Sequence, residues 1–244
     1  MQLSFGSGFS FGVRTDVANS TPVPMGILQD ISVDFSGDLK SLYGQSQFAV
    51  AFARGKTKIM GKAKLARING RLFNDLFFGQ TMATGQVLTA IGEAGTVPAS
   101  VAYTVTAANA ATFKDDLGVF YAVTGLPFAK VTTAPTVGQY SVSAAGVYTF
   151  AAADASAAVQ LSYTYTATTG QTITISQVTM GVIPTFKNVF STSFQGKVLT
   201  LTLNSCATSK LNFATKQDDW TIPELDFEAC ADILGNVGTL TLSE

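Results

Sequence analysis

The chain opens on a two-residue rhythm. In GILQDISVDF, Ile27, Ile31, Val33 and Phe35 hold odd positions while Asp30, Ser32 and Asp34 hold even ones, the signature of a half-buried strand with an acidic outer face. SGDLKSLYG, with a glycine near each end, reads as a loop over Ser36–Gln45. QFAVAFA predicts a second strand with Phe48, Val50 and Phe52 on its even face. Beyond Arg54 the parity inverts: Lys56, Lys58, Lys62 and Lys64 are even, and Ile59, Ala63 and Leu65 odd. One face of a strand cannot change from aromatic to lysine without a break, so a turn or bulge is expected at Arg54–Lys56.

INGRLFNDLFFG departs from that rhythm. Ile68, Leu72, Phe73, Leu76 and Phe77 recur at helical spacing, with Asn69 suited to the N-cap and Gly79 to the position past the C-terminus. This predicts one helix, over about 69–78, packed by its aromatic stripe onto a sheet. Residues 85–170 then change character. Ala, Thr, Val and Tyr dominate, and the short β-prone runs SVAYTVTA, GVFYAVTG, GQYSVSA, GVYTFAA and VQLSYTYTA alternate with turn-formers. The region reads as an insertion, a small sandwich or a sheet extension, within a discontinuous core of 1–84 and 171–244. TITISQVTM, FKNVFSTSF and KVLTLTLNSC predict long strands in the second part of that core. PELDFEACADILGNVGTLTLSE reads as a hairpin, with Asp232 to Asn236 as its turn and Val237 to Leu242 as the return strand; its alternation favours strand over a helix at 224–232. The fold class is mainly β, a barrel or sandwich with one flanking helix and an inserted β-rich region.

Composition narrows the chemistry. The chain has 244 residues, 47% of them hydrophobic and only 13% charged, and no apolar run reaches the length of a spanning helix. The N-terminus lacks the basic and apolar regions of a signal peptide. So little charge on a chain of mean hydropathy +0.30 points to a surface covered by protein, and self-assembly is the economical reading. There is no histidine, which removes the commonest general base and metal ligand. Asp115-Asp116 and Asp218-Asp219 are adjacent pairs whose side chains diverge in extended structure, and both read as solvated turns. Cys206 and Cys230 match no metal spacing and read as two small, semi-buried thiols. No catalytic, metal or cofactor site is expected.

Charge is unevenly placed. Seven of the fifteen basic residues (Arg54, Lys56, Lys58, Lys62, Lys64, Arg67 and Arg71) fall within residues 54–71, and seven acids follow residue 217. Three readings compete: a phosphate-tracking strand, opposed by the sequence pI of 5.4 and the lack of stacking aromatics among the lysines; ordinary cross-strand pairs with Asp30 and Asp34; or basic and acidic patches meeting head to tail between copies. Low overall charge fits the third best, with Asp218, Asp219 and Glu224 as the acidic side.

GILQDISVDFSGDLKSLYG, FARGKTKIMGKAKLARINGRLFNDLFFG and DDWTIPELDFEACADILGNVGTLTLSE together resemble the tail tube proteins of long-tailed bacteriophages, and the run from DLGVFYAVTGLPF to VQLSYTY is similar to an insertion that one branch of them carries. The resemblance implies hexameric rings stacked into a hollow tube for genome ejection. It implies as partners the protein itself, other tail proteins, and genomic DNA passing without specific binding, with no membrane and no cofactor. It places the protein in the virion tail, assembled in the bacterial host cytoplasm. A lumen that passes DNA should repel phosphate, so Asp226 and Glu228, or Asp30 and Asp34, are expected to face it while the lysines are neutralised by carboxylates within or between subunits. Residues 2–12 and Ser36–Gln45 are expected to be arms that order against neighbours. The alternative is a β-rich secreted adhesin or pilus-type subunit.

Overall fold

A computed structural model describes residues 6–67 and 69–243; Ile68 of the expected helical stripe and residues 2–5 of the expected N-terminal arm lie outside them. The protein is mainly β. In chain order the strands are β1 (Phe9–Arg14), β2 (Val23–Pro24), β3 (Leu28–Tyr43), β4 (Ala49–Leu65), β5 (Met82–Thr96), β6 (Thr104–Thr106), β7 (Phe113–Tyr121), β8 (Ala129–Lys130), β9 (Gln139–Val142), β10 (Val147–Phe150), β11 (Ala158–Ile173), β12 (Thr185–Phe194), β13 (Lys197–Asn212), β14 (Glu224–Cys230) and β15 (Gly238–Leu242). The chain divides into a first unit, Met1–Met82 with Ile173–Glu244, and a second, Ala83–Thr172.

The first unit is one curled sheet in the order β2-β1-β12-β13-β14-β4-β3, with β15 also on β13. Its core gathers Ala63 and Leu65 from the odd face of β4 and Leu28, which a register shift before Asp30 sets opposite Leu65, with Phe186, Leu201, Leu203, Leu225 and Phe227 from the later strands. Gly61 sits opposite Phe227 in the β4–β14 register, and a Cβ there would lie in steric overlap with Cζ of the Phe227 ring. The glycine therefore makes room for a phenyl group whose burial contributes roughly 1.5–3 kcal/mol.

The helical segment begins where expected. Asn69 is extended (φ −130°), and its side chain accepts hydrogen bonds from the Arg71 and Leu72 N–H groups of α1 (Gly70–Phe73). From Asn74 to Phe78 the helix widens to π geometry, closing with Gly79 N–H donating to the Asn74 carbonyl at 2.6 Å and Gly79 left-handed at φ 65°. Buried Asn74 accounts for the wider turn: its side chain donates to the Gln80 carbonyl and accepts from the Gln80 N–H, pulling the exit back onto the helix. Leu72, Phe73 and Leu76 are buried, and Leu76 packs where a side chain at Gly12 would otherwise stand.

Three expectations about the first unit need correction, and a fourth is met. Ser36–Gln45 is not a loop: β3 runs through it to Tyr43, paired to β4 throughout. The turn or bulge expected at Arg54–Lys56 is met, as a bulge inside a continuous strand. Register moves from Gly37↔Thr57 to Leu39↔Arg54, two steps on β3 against three on β4. The extra residue restores one face, so Phe52 shares a side with Ile59 and Ala63. The C-terminal segment is not a hairpin. β14 and β15 both pair antiparallel with β13, at Ser205–Asn212 and Leu199–Leu203, and so run collinearly in the same direction. Asp232 closes the intervening loop by accepting from the Leu234 and Asn236 N–H groups at 2.9 Å each, and Asn204 of β13 bridges the gap through its bond to Asp232. Finally, β11 stops at Ile173, so most of TITISQVTM, expected as strand, falls in a connector without regular structure over 174–184.

The second unit has two sheets, β6-β10-β9-β8 and β5-β11-β7, around a separate core of Val119, Tyr140, Tyr148, Phe150, Leu161, Tyr163 and their neighbours. All five expected strands are present, joined by β5 and β8. Asp116 is not in a solvated turn. It lies in β7 with its side chain 3% exposed, and accepts from the Tyr140 hydroxyl (2.7 Å), the Tyr148 hydroxyl (3.1 Å) and the Lys130 ammonium (2.9 Å). Asp154 holds the Tyr121 hydroxyl at 2.8 Å, and Glu93 accepts from the Tyr163 hydroxyl. Burial opposes ionisation of Asp116, but its bonds from Tyr140, Lys130 and the Gly118 N–H outweigh that, so its carboxyl lies below the usual range. Burial, with the Asp154 carboxylate, pushes Tyr121 up to about 12.

Two outcomes follow. Gly61→Ala forces the Phe227 ring aside and should lower stability by about 1–3 kcal/mol in urea unfolding. Asp116→Asn should cost about 1–3 kcal/mol at neutral pH. Because the Asp116 pKa is depressed on folding, its stabilisation is present above the ordinary carboxylate range and lost as pH falls through the folded value. The melting-temperature difference between variant and wild type should therefore shrink on acidification.

Candidate functional site

The even positions of β3, β4 and β14 form one charged face. The register aligns Asp30–Lys64–Glu224 and Ser32–Lys62–Asp226 across the three strands, extends the second row to Lys210 on β13, and adds the row Asp34–Met60–Glu228. Lys62 Nζ is 2.9 Å from Glu224 Oε2, and Lys64 Nζ is 3.5 Å from Asp30 Oδ2. The Lys62 hydrogen bond, helped by the charges of Lys64 and Lys210, holds the Glu224 carboxyl below its ordinary value, and the same bond raises Lys62. Asp34, Asp226 and Glu228 border a shallow groove with Ser32, Met60 and Lys62.

The basic stretch thus divides in three. Lys62 and Lys64 belong to the charged face. Arg71 pairs with Asp75 at 3.4 Å along the helix, and Arg67 is exposed just after β4. Arg54, Lys56 and Lys58 are exposed and make no ion pair among the described residues. The acids expected to line a lumen and the lysines expected to be kept away from it are not segregated: Lys62 and Lys64 stand between Asp30 and Asp34 on one side and Asp226 and Glu228 on the other. Parity along each strand revealed this face, but only the neighbour order β3-β4-β14 reveals its mixture. Asp218 and Asp219 are elsewhere, in the 213–223 loop, where Asp219 pairs with Lys216 at 3.2 Å.

The other feature is an arm. β14 pairs with β4 only at Ile59–Lys64, so β3 beyond Ser36 and β4 before Lys58 pair with each other alone. Every residue from Asp34 to Phe48 and from Val50 to Lys58 is exposed. The side that buries Ala63 and partly covers Ile31, Val33 and Ile59 at the base continues outward as Phe35, Leu39 and Phe52, exposed by 57–65%. Val50 and Phe48 near the tip are 72% and 84% exposed. A two-stranded ribbon has no core of its own, and an uncovered apolar row on it is a candidate contact surface. The signal was present in the sequence: Phe35, Leu39 and Tyr43 keep the odd parity of Ile31 and Val33 through the supposed loop.

Among the described residues no three metal-ligating side chains converge. Cys206 is buried, which pushes its thiol up to about 12; Cys230 is exposed and donates to Ser205 Oγ.

Reversing Lys64 to Glu would set like charge between Asp30 and Glu224, whereas Lys56→Glu with Lys58→Glu breaks no ion pair. The first should lower the protomer's melting temperature and the double variant should leave it unchanged in differential scanning calorimetry. Compared with protein-family models and with curated proteins, the chain matches neither, so its working surfaces have to be read from its own residues.

Proposed function

We propose that this protein is a structural subunit that assembles into the tail tube of a long-tailed bacteriophage, in hexameric rings stacked as a conduit for the genome. The observation that carries this reading is the arm: a ribbon with an apolar side and free cations on a chain of low overall charge, which needs another protein surface to cover it. The resemblance of the flanking sequence segments to tail tube proteins supports the same reading, and supplies the ring number, the virion location and other tail proteins as further partners. Free strand edges on β3 and β15 add to the case, because joining edges around a ring removes them as aggregation sites.

The charged face fits a DNA path in a modified form. It sets five carboxylates (Asp30, Asp34, Glu224, Asp226 and Glu228) against three ammonium groups (Lys62, Lys64 and Lys210). Two of these ammonium groups are engaged by carboxylates, so phosphate passing over the face meets little free positive charge. DNA would slide past rather than bind.

Negatively stained images of the concentrated protein should show hollow stacked rings, and discrete protomers at every concentration would overturn the reading. Lys56→Glu with Lys58→Glu should leave a folded protein that assembles poorly, read by sedimentation velocity; tubes in normal yield would remove these lysines from the contact.

A further inference from the structure

The two ends of the core sheet differ, and β13 gives the direction. Toward its Lys197 end, β15 leaves Leu240 and Leu242 exposed by 57% and 49%, and the arm departs past the level where Ile59 pairs with Ala229. At its Asn212 end lie the first residue of β12, the helix and the 213–223 loop. The ring of Phe213 stands edge-on to Phe73 with centroids 4.9 Å apart, and Ser176 bonds Gln80 at 2.8 Å, which fixes the loop and the 174–184 connector beside the helix.

That connector is unusual. It carries no charged residue, yet Ile175, Val178, Met180 and Val182 are exposed by 72%, 51%, 99% and 66%. Within it, one backbone hydrogen bond is made among the described residues, Val182 N–H to the Thr179 carbonyl. In the 213–223 loop, Trp220 is 87% exposed, and Asp218 makes no ion pair among the described residues.

We infer that the arm of one copy lies on the 174–184 connector and the Asp218–Trp220 loop of the next copy, a head-to-tail contact that rests on the self-assembly reading above. Three observations converge on a second copy as the occupant. The two uncovered apolar surfaces sit at opposite ends of one core, so a chain cannot close its own arm onto its own connector. Charge is complementary: residues 36–58 carry Lys40, Arg54, Lys56 and Lys58 against Asp38 alone, while the receiving 213–223 loop carries Asp218 and Asp219 against Lys216 alone. Both partners also offer unpaired backbone, a free strand edge on the arm and an irregular connector with one backbone hydrogen bond of its own among the described residues, which is what strand addition requires. Such a heterologous contact leaves each copy with one arm and one receiving end free, and so propagates.

The test uses the full chain with Cys230→Ser, which removes the exposed thiol. Val50→Cys and Met180→Cys are introduced into separate copies, mixed, and treated with a short bismaleimide. A cross-linked dimer should appear in the mixture and be absent from either variant alone. Tubes visible by electron microscopy without that dimer would overturn this contact and leave the tube reading standing; failure to assemble at all would overturn both. Hydrogen exchange on the unmodified protein gives a second readout. Amides of residues 174–184 should exchange more slowly after assembly, and unchanged rates in assembled material would also overturn the contact.

Discussion

Six residue pairs between β4 and β14, from Ile59↔Ala229 to Lys64↔Glu224, anchor the arm to the rest of the first unit. β4 must serve two environments in one strand: a buried half that packs Ala63 and Leu65 into the core, and an exposed half with no layer on either side. Close approach at Gly61 lets the Phe227 ring lie against the β4 backbone, so the base of the arm is held by packing as well as by hydrogen bonds. Without that clamp the ribbon would have only its own cross-strand pairs, each contributing about 0.2–1 kcal/mol. The bulge at Gly55 then decides which way the aromatic residues point. With the extra residue, Phe52 continues the apolar side of the core; without it, that residue would face the same side as the lysines.

Much of this was legible in the sequence because alternation is a local property. The helix start at Asn69, its end at Gly79, the bulge near Arg54 and the strands of residues 85–170 all announce themselves within a few residues. What stayed hidden depends on neighbours distant in the chain. Alternation in PELDFEAC and the turn at Asp232 both exist, yet the return strand rejoins β13, where it pairs with Leu199–Leu203 and where Asn204, nearly thirty residues upstream, bonds Asp232. The mixed charge of the β3-β4-β14 face likewise needs strand order. The π turn depends on a side chain, Asn74, whose two hydrogen bonds to the Gln80 backbone leave no pattern in hydrophobicity. The reading of 36–45 as a loop gave weight to its glycines and polar residues over the persistent odd parity of Leu39 and Tyr43.

The second unit is stabilised in a different idiom. Its core is rich in tyrosine, and a hydroxyl buried without a partner costs free energy. Asp116, Asp154 and Glu93 each supply an acceptor to a tyrosine, so few carboxylates can serve a core with almost no charge around it. This explains why acids appear in a region otherwise composed of Ala, Thr and Val. It also separates the two units chemically: the first spends its charges on an outer face, the second on fixing aromatic rings from within.

The interrupted strand at Cys230–Gly238 has a consequence for how such a chain can change. Since β14 and β15 are each registered independently on β13, the tip of the loop between them, beyond the Asp232 bond to Asn204, bears no part of the sheet's alignment. Ile233 is fully exposed and Leu234 nearly so. Lineages could lengthen this loop, or graft a folded module into it, while the strands on both sides keep their places. It is a point at which the core can acquire new surface ornament without renegotiating its architecture.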